Sequence, residues 1–170
     1  MNTSGHILVA VDDSEASDRA VAYVGALIGG RQGYRVRLLH ILPPLPPSLL
    51  EVGGSENPAI EQREETTIHN QQATWLAEAE KQARPALQRA RSGLRQANVP
   101  DQAIETEFVV SINGQSMVTD ILDAAKTSQC GTIVVGRESF HGLQAFFAHH
   151  HHVGDELVAK GHGVTIWVVK

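Results

Sequence analysis

The sequence predicts an α/β protein: an open, doubly wound sheet of five parallel strands with helices on both faces. Three observations carry that expectation. Short continuous apolar runs recur along the chain, the pattern of strands covered on both faces. Segments with apolar residues at helical spacing separate them, and Gly, Pro, Asp and Ser mark the joints. At 170 residues the chain fits one domain, 1–170, with enough length to bury a core.

Ile7-Leu8-Val9-Ala10-Val11 is the first strand, and it stops at Asp12-Asp13-Ser14. Asp13 or Ser14 is placed to cap the helix that follows, with carboxylates in its first turn where the helix dipole favours them. That helix carries Ala20, Val21, Val24, Leu27 and Ile28 and closes at Gly29-Gly30. Arg35 to Leu42 is the second strand, ended by Pro43-Pro44-Leu45-Pro46-Pro47. The polar, glycine-containing stretch from about 43 to 65 reads as a mobile insertion on the carboxyl-end side of the sheet. From about Thr66 to Ala97 the composition favours helix, with Trp75, Leu76, Ala79, Ala83, Ala86, Leu87, Ala90 and Leu94 as its stripe. Pro85 is expected to kink or split that helix.

Ile104 to Val110 makes the third strand, and the turn at 112–116 opens a helix bearing Val118, Ile121, Leu122 and Ala125. Thr132-Ile133-Val134-Val135 is the fourth strand, stopping at Gly136. A short helix through Val153, Leu157 and Val158 leads to the last strand, Val164 to Val169.

The chain carries 42% apolar and 19% charged residues, and its formal charge of −5 argues against a large nucleic-acid interface. Arg84, Arg89, Arg91 and Arg95 share one helix and read as a solvated face. Cys130 is the only cysteine, so an intrachain disulfide is excluded and the thiol reads as a small core-side residue. No signal-peptide pattern opens the sequence, and no apolar run nears the roughly 20 residues that span a bilayer. A cytoplasmic protein without membrane contact is expected.

Three stretches resemble the universal stress protein family: Ile7 to Ser14, Leu38-Leu39-His40-Ile41-Leu42-Pro43, and Thr132 to Gly136 with Phe146-Phe147 and the terminal strand. The likeness covers nearly the whole chain. It implies a Rossmann-like sheet of the adenine nucleotide alpha hydrolase kind and a stress-response or regulatory role. In nucleotide-binding members, ATP lies at the carboxyl ends of the first, second and fourth strands. The resemblance places Asp12 at the nucleotide and Ile41 beside the adenine.

The family's phosphate loop runs Gly, two residues, Gly, nine residues, then Gly and Ser or Thr. Gly136 matches the first glycine, Ser139 falls on the second, and the final pair falls on His149-His150, or equally on His151-His152. Gly142 is a stand-in for the lost glycine in a rearranged loop. Asp13 replaces the family's glycine beside Asp12. A phosphate loop needs glycine where backbone must approach the anion or take positive φ, so these departures weaken the expected grip on ATP. A histidine beside a phosphate can still act as a cationic donor, since its unperturbed pKa is about 6.5.

The run His149 to His152 reads first as a polar helix start, second as an adventitious metal binder and third as a functional metal site using His149 and His152, with His141 as a third ligand. No catalytic pattern is present, and slow ATP hydrolysis is the most that is expected. Three functions therefore stay open. One is a regulator binding ATP or another adenine nucleotide. Another is a nucleotide-independent interaction module with an unidentified protein partner. The third is a metal-responsive protein using the histidine run. The family pairs its last strands across a two-fold, and Val164 to Val169 is an apolar edge, so a homodimer is expected.

Overall fold

The computed structural model describes residues 5–50, 57–112, 115–137 and 153–170. The elements run β1 (His6–Ala10), α1 (Glu15–Ile28), β2 (Arg35–Leu42), α2 (Pro58–Gln96), β3 (Ile104–Val110), α3 (Met117–Thr127), β4 (Thr132–Gly136), α4 (Val153–Lys160) and β5 (Thr165–Val169). The five strands form one sheet in the order β3-β2-β1-β4-β5, every neighbouring pair parallel. The expected fold class is thus observed. The strand order reverses between β1 and β4, which sets the topological switch point there.

Strand alternation sends side chains to two separate cores. Ile7, Val9 and Val11 of the first strand run, with Val36, Leu38 and Val134, meet α1 and α2 through Val24, Ile28, Leu87 and Leu94. Leu8, Ala10, Leu39, Ile41, Ile133 and Val135 meet α3 and α4 through Val118, Ile121 and Leu157. The central strands are apolar in both directions because both faces are covered. At the edges the pattern loosens, and β3 exposes Glu105 and Thr106. There Arg37 donates to Glu107 at 2.8 Å and to Glu105, tying β2 to β3 across an uncovered stretch of sheet.

Helix α1 starts at Ser14, whose Oγ accepts the Ser17 N–H at 3.1 Å. Of the two expected caps, Ser14 is the one used. The chain leaves this helix through Gly30 at φ +70°, a conformation that costs a residue with a β-carbon.

Helix α2 departs from expectation at its start. It begins at Pro58, so residues 58–65 are helical and not part of an irregular insertion. Proline suits a first turn, where its missing N–H is no loss, and Glu61 complements the dipole. Pro85 does not split it: one helix of 39 residues runs through that position, about 58 Å of helical rise. Pro85 and Lys81, whose carbonyl loses its helical partner, are both exposed, so water can satisfy that oxygen. Among the helix residues whose burial is described, buried ones appear from Ala83 onward, so the amino-terminal half stands outside the main core. Gln72 ties that half down, donating to the Leu49 carbonyl at 2.6 Å.

Four of the arginines of α2 each face a carboxylate: Arg84 with Glu80, Arg89 with Asp13, and Arg91 and Arg95 with Asp101. These exposed pairs are worth little individually, and they leave those arginines no bare cationic face.

The two halves of α2 should respond differently to truncation. Leu94→Ala, at a fully buried site, should cost about 2–5 kcal/mol in urea unfolding. Ile60→Ala, at a site 46% exposed, should stay within about 0.5 kcal/mol. Equal losses at both sites would contradict this division of the helix.

Candidate functional site

Strand register brings the carboxyl-end residues level. Val9 is aligned with Leu38 and with Val134, so Asp12, Ile41 and Arg137 each follow three residues on, at the same carboxyl end of the sheet. This is the switch-point end, where doubly wound sheets have their ligand crevice. Of the sequence-derived candidates, Asp12, Ile41 and Gly136 meet here. Ser139, Gly142, His149, His150 and the alternatives His141, His151 and His152 lie outside the described residues.

Asp12 is buried, 6% exposed, and sits in a closed ring of hydrogen bonds. Its N–H donates to Ser17 Oγ at 3.1 Å, the Ser17 N–H donates to Ser14 Oγ at 3.1 Å, and Ser14 donates back to Asp12 Oδ1 from its N–H at 2.9 Å and its hydroxyl at 2.6 Å. The helix cap and the site carboxylate are thus one unit. Burial pushes the Asp12 pKa up; the Ser14 bonds and the nearby His40 pull it down, and Asp13 pushes it up. Asp13 itself is exposed and, among the described residues, pairs with Arg89 at 3.5 Å.

Gly136 has a steric reason to be glycine. A β-carbon there would stand 2.3 Å from the Ala16 carbonyl oxygen, inside any allowed contact. The end of β4 packs against the first turn of α1, and no side chain fits between them. Beyond Gly136, the Arg137 N–H donates to the Val169 carbonyl at 2.7 Å, so β5 also anchors the start of the loop. Ile41 is 2% exposed and faces the α3 side of the sheet.

Two polar groups escaped the sequence reading. His40 lies on β2, 9% exposed, with Nδ1 2.8 Å from the Val11 carbonyl oxygen and its ring edge-on to Phe108. Burial lowers its pKa, opposed by the bond to Val11 and the charges of Asp12 and Asp13. The available signal was a polar residue inside a continuous apolar strand, because a buried ring nitrogen needs a partner. The other is Asp120 of α3, 3% exposed, accepting from the Ser111 hydroxyl at 2.7 Å and from Gln115 at 2.9 Å. It fastens the turn between β3 and α3, and burial raises its pKa.

Among the described residues no group of three or more His, Cys, Asp or Glu is placed to hold a metal ion. No helix there is long and apolar enough to cross a membrane. Cys130 is buried and its thiol pKa is pushed up by that burial, as for an inert core thiol.

A model of the Universal stress protein family matches residues 3–152. None of the curated protein sequences compared matches the chain. Among solved structures, a universal stress protein in complex with cAMP superimposes with a TM-score of 0.63 at 16% identity, covering 99% of each chain. A universal stress family protein from Burkholderia pseudomallei gives 0.62 at 15% identity, covering 99% of this chain and 98% of its own. The Archaeoglobus fulgidus universal stress protein in complex with dAMP gives 0.50 at 20% identity, covering 96% of both. These likenesses agree with the fold described above.

Two outcomes follow from the geometry. Gly136→Ala should destabilise the protein by about 1–3 kcal/mol or more, through overpacking against Ala16; an unchanged urea midpoint would contradict the close approach. The pH dependence has a definite sign. The folded pKa of His40 lies below its ordinary 6.5, so below 6.5 the unfolded chain binds more protons at this site. Stability from His40 is therefore lost as pH falls from 6.5 toward the lowered value. Asp12 and Asp120 have folded pKa values above 3.8, so they add stability as pH falls through those raised values toward 3.8. Thermal melts of wild type should lose stability first below pH 6.5, and His40→Asn should remove that early loss.

Proposed function

Because the chain belongs to the universal stress protein family, we propose that it is a cytoplasmic stress-response regulator that binds an adenine nucleotide in the crevice between the ends of β1, β2 and β4. The observation that carries this reading is Asp12: a buried carboxylate at the switch point, with the hydrogen bonds found at its carboxylate gathered on Oδ1. Oδ2 then serves a ligand donor such as an adenine amine or a ribose hydroxyl. A ligand donor at Oδ2 would add a charge-assisted hydrogen bond to a carboxylate already held in place by Ser14. Relatives of the same fold in complex with cAMP and dAMP support an adenine nucleotide.

The phosphate side favours a short phosphate chain. Asp13 adds a negative charge beside Asp12 where the family pattern has glycine. Ser139 stands where that pattern has its second glycine, and His149-His150, or equally His151-His152, where it has glycine followed by Ser or Thr. Fewer phosphates require fewer backbone donors and meet less repulsion. A second reading, a nucleotide-independent interaction module, is favoured by the same substitutions.

The proposal includes a homodimer through β5. This strand ends the sheet and leaves Ile166, Trp167, Val168 and Val169 only half-buried, with Tyr23 packed edge-on against Trp167 at 6.0 Å. An apolar edge of this kind is a liability unless another strand covers it.

A thermal-shift panel tests the nucleotide reading. At about 100 times Kd, AMP or cAMP should raise Tm by roughly 5–10 °C, ATP with Mg²⁺ should raise it less, and Asp12→Ala should abolish the shift. No shift with any of the three would favour the interaction module. For the assembly, light scattering should give twice the chain mass at micromolar concentration, and Trp167→Glu should give monomer. A monomeric wild type would contradict the dimer.

A further inference from the structure

We propose that His40 is a positioning residue of the nucleotide crevice, its ring N–H holding one end of the peptide that carries Asp12. This rests on the adenine-nucleotide reading and adds to it the group that sets the crevice's shape. The β1–β2 ladder continues past Ala10 to a last rung, the Val11 N–H to the Leu39 carbonyl at 2.8 Å. Beyond it, the Val11 carbonyl oxygen meets His40 Nδ1 at 2.8 Å.

A carbonyl only accepts, so Nδ1 carries the proton and, in the neutral ring, Nε2 does not. The carbonyl of Val11 and the N–H of Asp12 belong to one peptide unit. His40 holds its oxygen, and Ser17 Oγ accepts from its nitrogen at 3.1 Å. A planar unit pinned at both ends has little freedom to rotate, and its orientation aims the Asp12 side chain. A side-chain donor also satisfies the Val11 oxygen without a further backbone rung, so β1 and β2 can part where a ligand enters.

Packing alone makes the opposite demand on substitutions, which gives the test its force. His40→Phe keeps an aromatic ring against Phe108 and removes the donor. His40→Asn removes the ring and keeps an amide N–H near the Nδ1 position. Amide hydrogen exchange in the ligand-free protein and calorimetric titration with AMP are the two measurements. For His40→Phe, exchange at the Asp12 amide should speed up and AMP should bind about tenfold more weakly, the scale of one lost hydrogen bond. For His40→Asn, both should stay within about threefold of wild type. Where His40→Phe does not fold, His40→Gln, whose amide reaches past the Nδ1 position, takes its place with the same expectation.

Equal effects in the two variants, or a milder effect in His40→Phe, would overturn the positioning role and leave a packing residue. If wild type binds neither AMP, cAMP nor ATP while Asp12 exchange still follows the donor, the nucleotide reading falls and His40 remains a clamp on that peptide.

Discussion

At the end of β4, backbone lies so close to the first turn of α1 that a β-carbon on Gly136 would come within 2.3 Å of the Ala16 carbonyl oxygen. The site depends on this approach. Ala16 sits between Ser14 and Ser17, the two serines that close the hydrogen-bond ring with Asp12. Fixing Ala16 against β4 therefore fixes the cap, and the cap fixes the carboxylate. The strand order reverses at the same place, so the crevice opens between two strands whose ends are both tied to one helical turn. A larger residue at 136 would separate β4 from α1 and loosen Asp12, some distance from the substituted atom.

The polar groups of the crevice are held against the usual cost of burial. Asp12 and His40 are both nearly out of solvent, and burial moves their pKa values in opposite directions, each toward its neutral form. Hydrogen bonds from Ser14 offset part of the cost for Asp12, and the Val11 carbonyl does so for His40. The same device recurs at Asp120, where Ser111 and Gln115 fasten the turn after β3. At Asp12 and at Asp120 a buried carboxylate and a serine just after a strand join the strand end to the next helix. Both lie at the carboxyl end of the sheet, the side on which doubly wound sheets take ligands.

Local pattern carried most of the fold. β1 and β4 are short apolar runs that stop at Asp12 and at Gly136, and burial on both faces leaves no ambiguity of period in them. The start of α2 was harder to see because residues 58–65 bear no apolar stripe: good helix formers in a solvated stretch resemble a polar loop. Of the two outcomes expected at Pro85 the split does not occur: the helix continues, and the exposure of Lys81 and Pro85 lets water take the carbonyl that the proline leaves without an N–H. At the site, Asp12 was legible from its place after an apolar strand. The role of His40 was not, since it depends on a carbonyl 29 residues away. Gly136 was legible as a residue, but its steric reason lies in α1, distant in sequence.

On the reading proposed, the nucleotide lies in the crevice beside the switch point. Backbone amide shifts recorded while AMP is titrated into the labelled protein report where it binds. The largest changes should fall at Asp12, Ser14, Ser17, Ile41 and Arg137, which the fold brings to one end of the sheet. Changes concentrated at the opposite end, around Gly33, Gly131 and Gly163, or no changes at millimolar AMP, would contradict it.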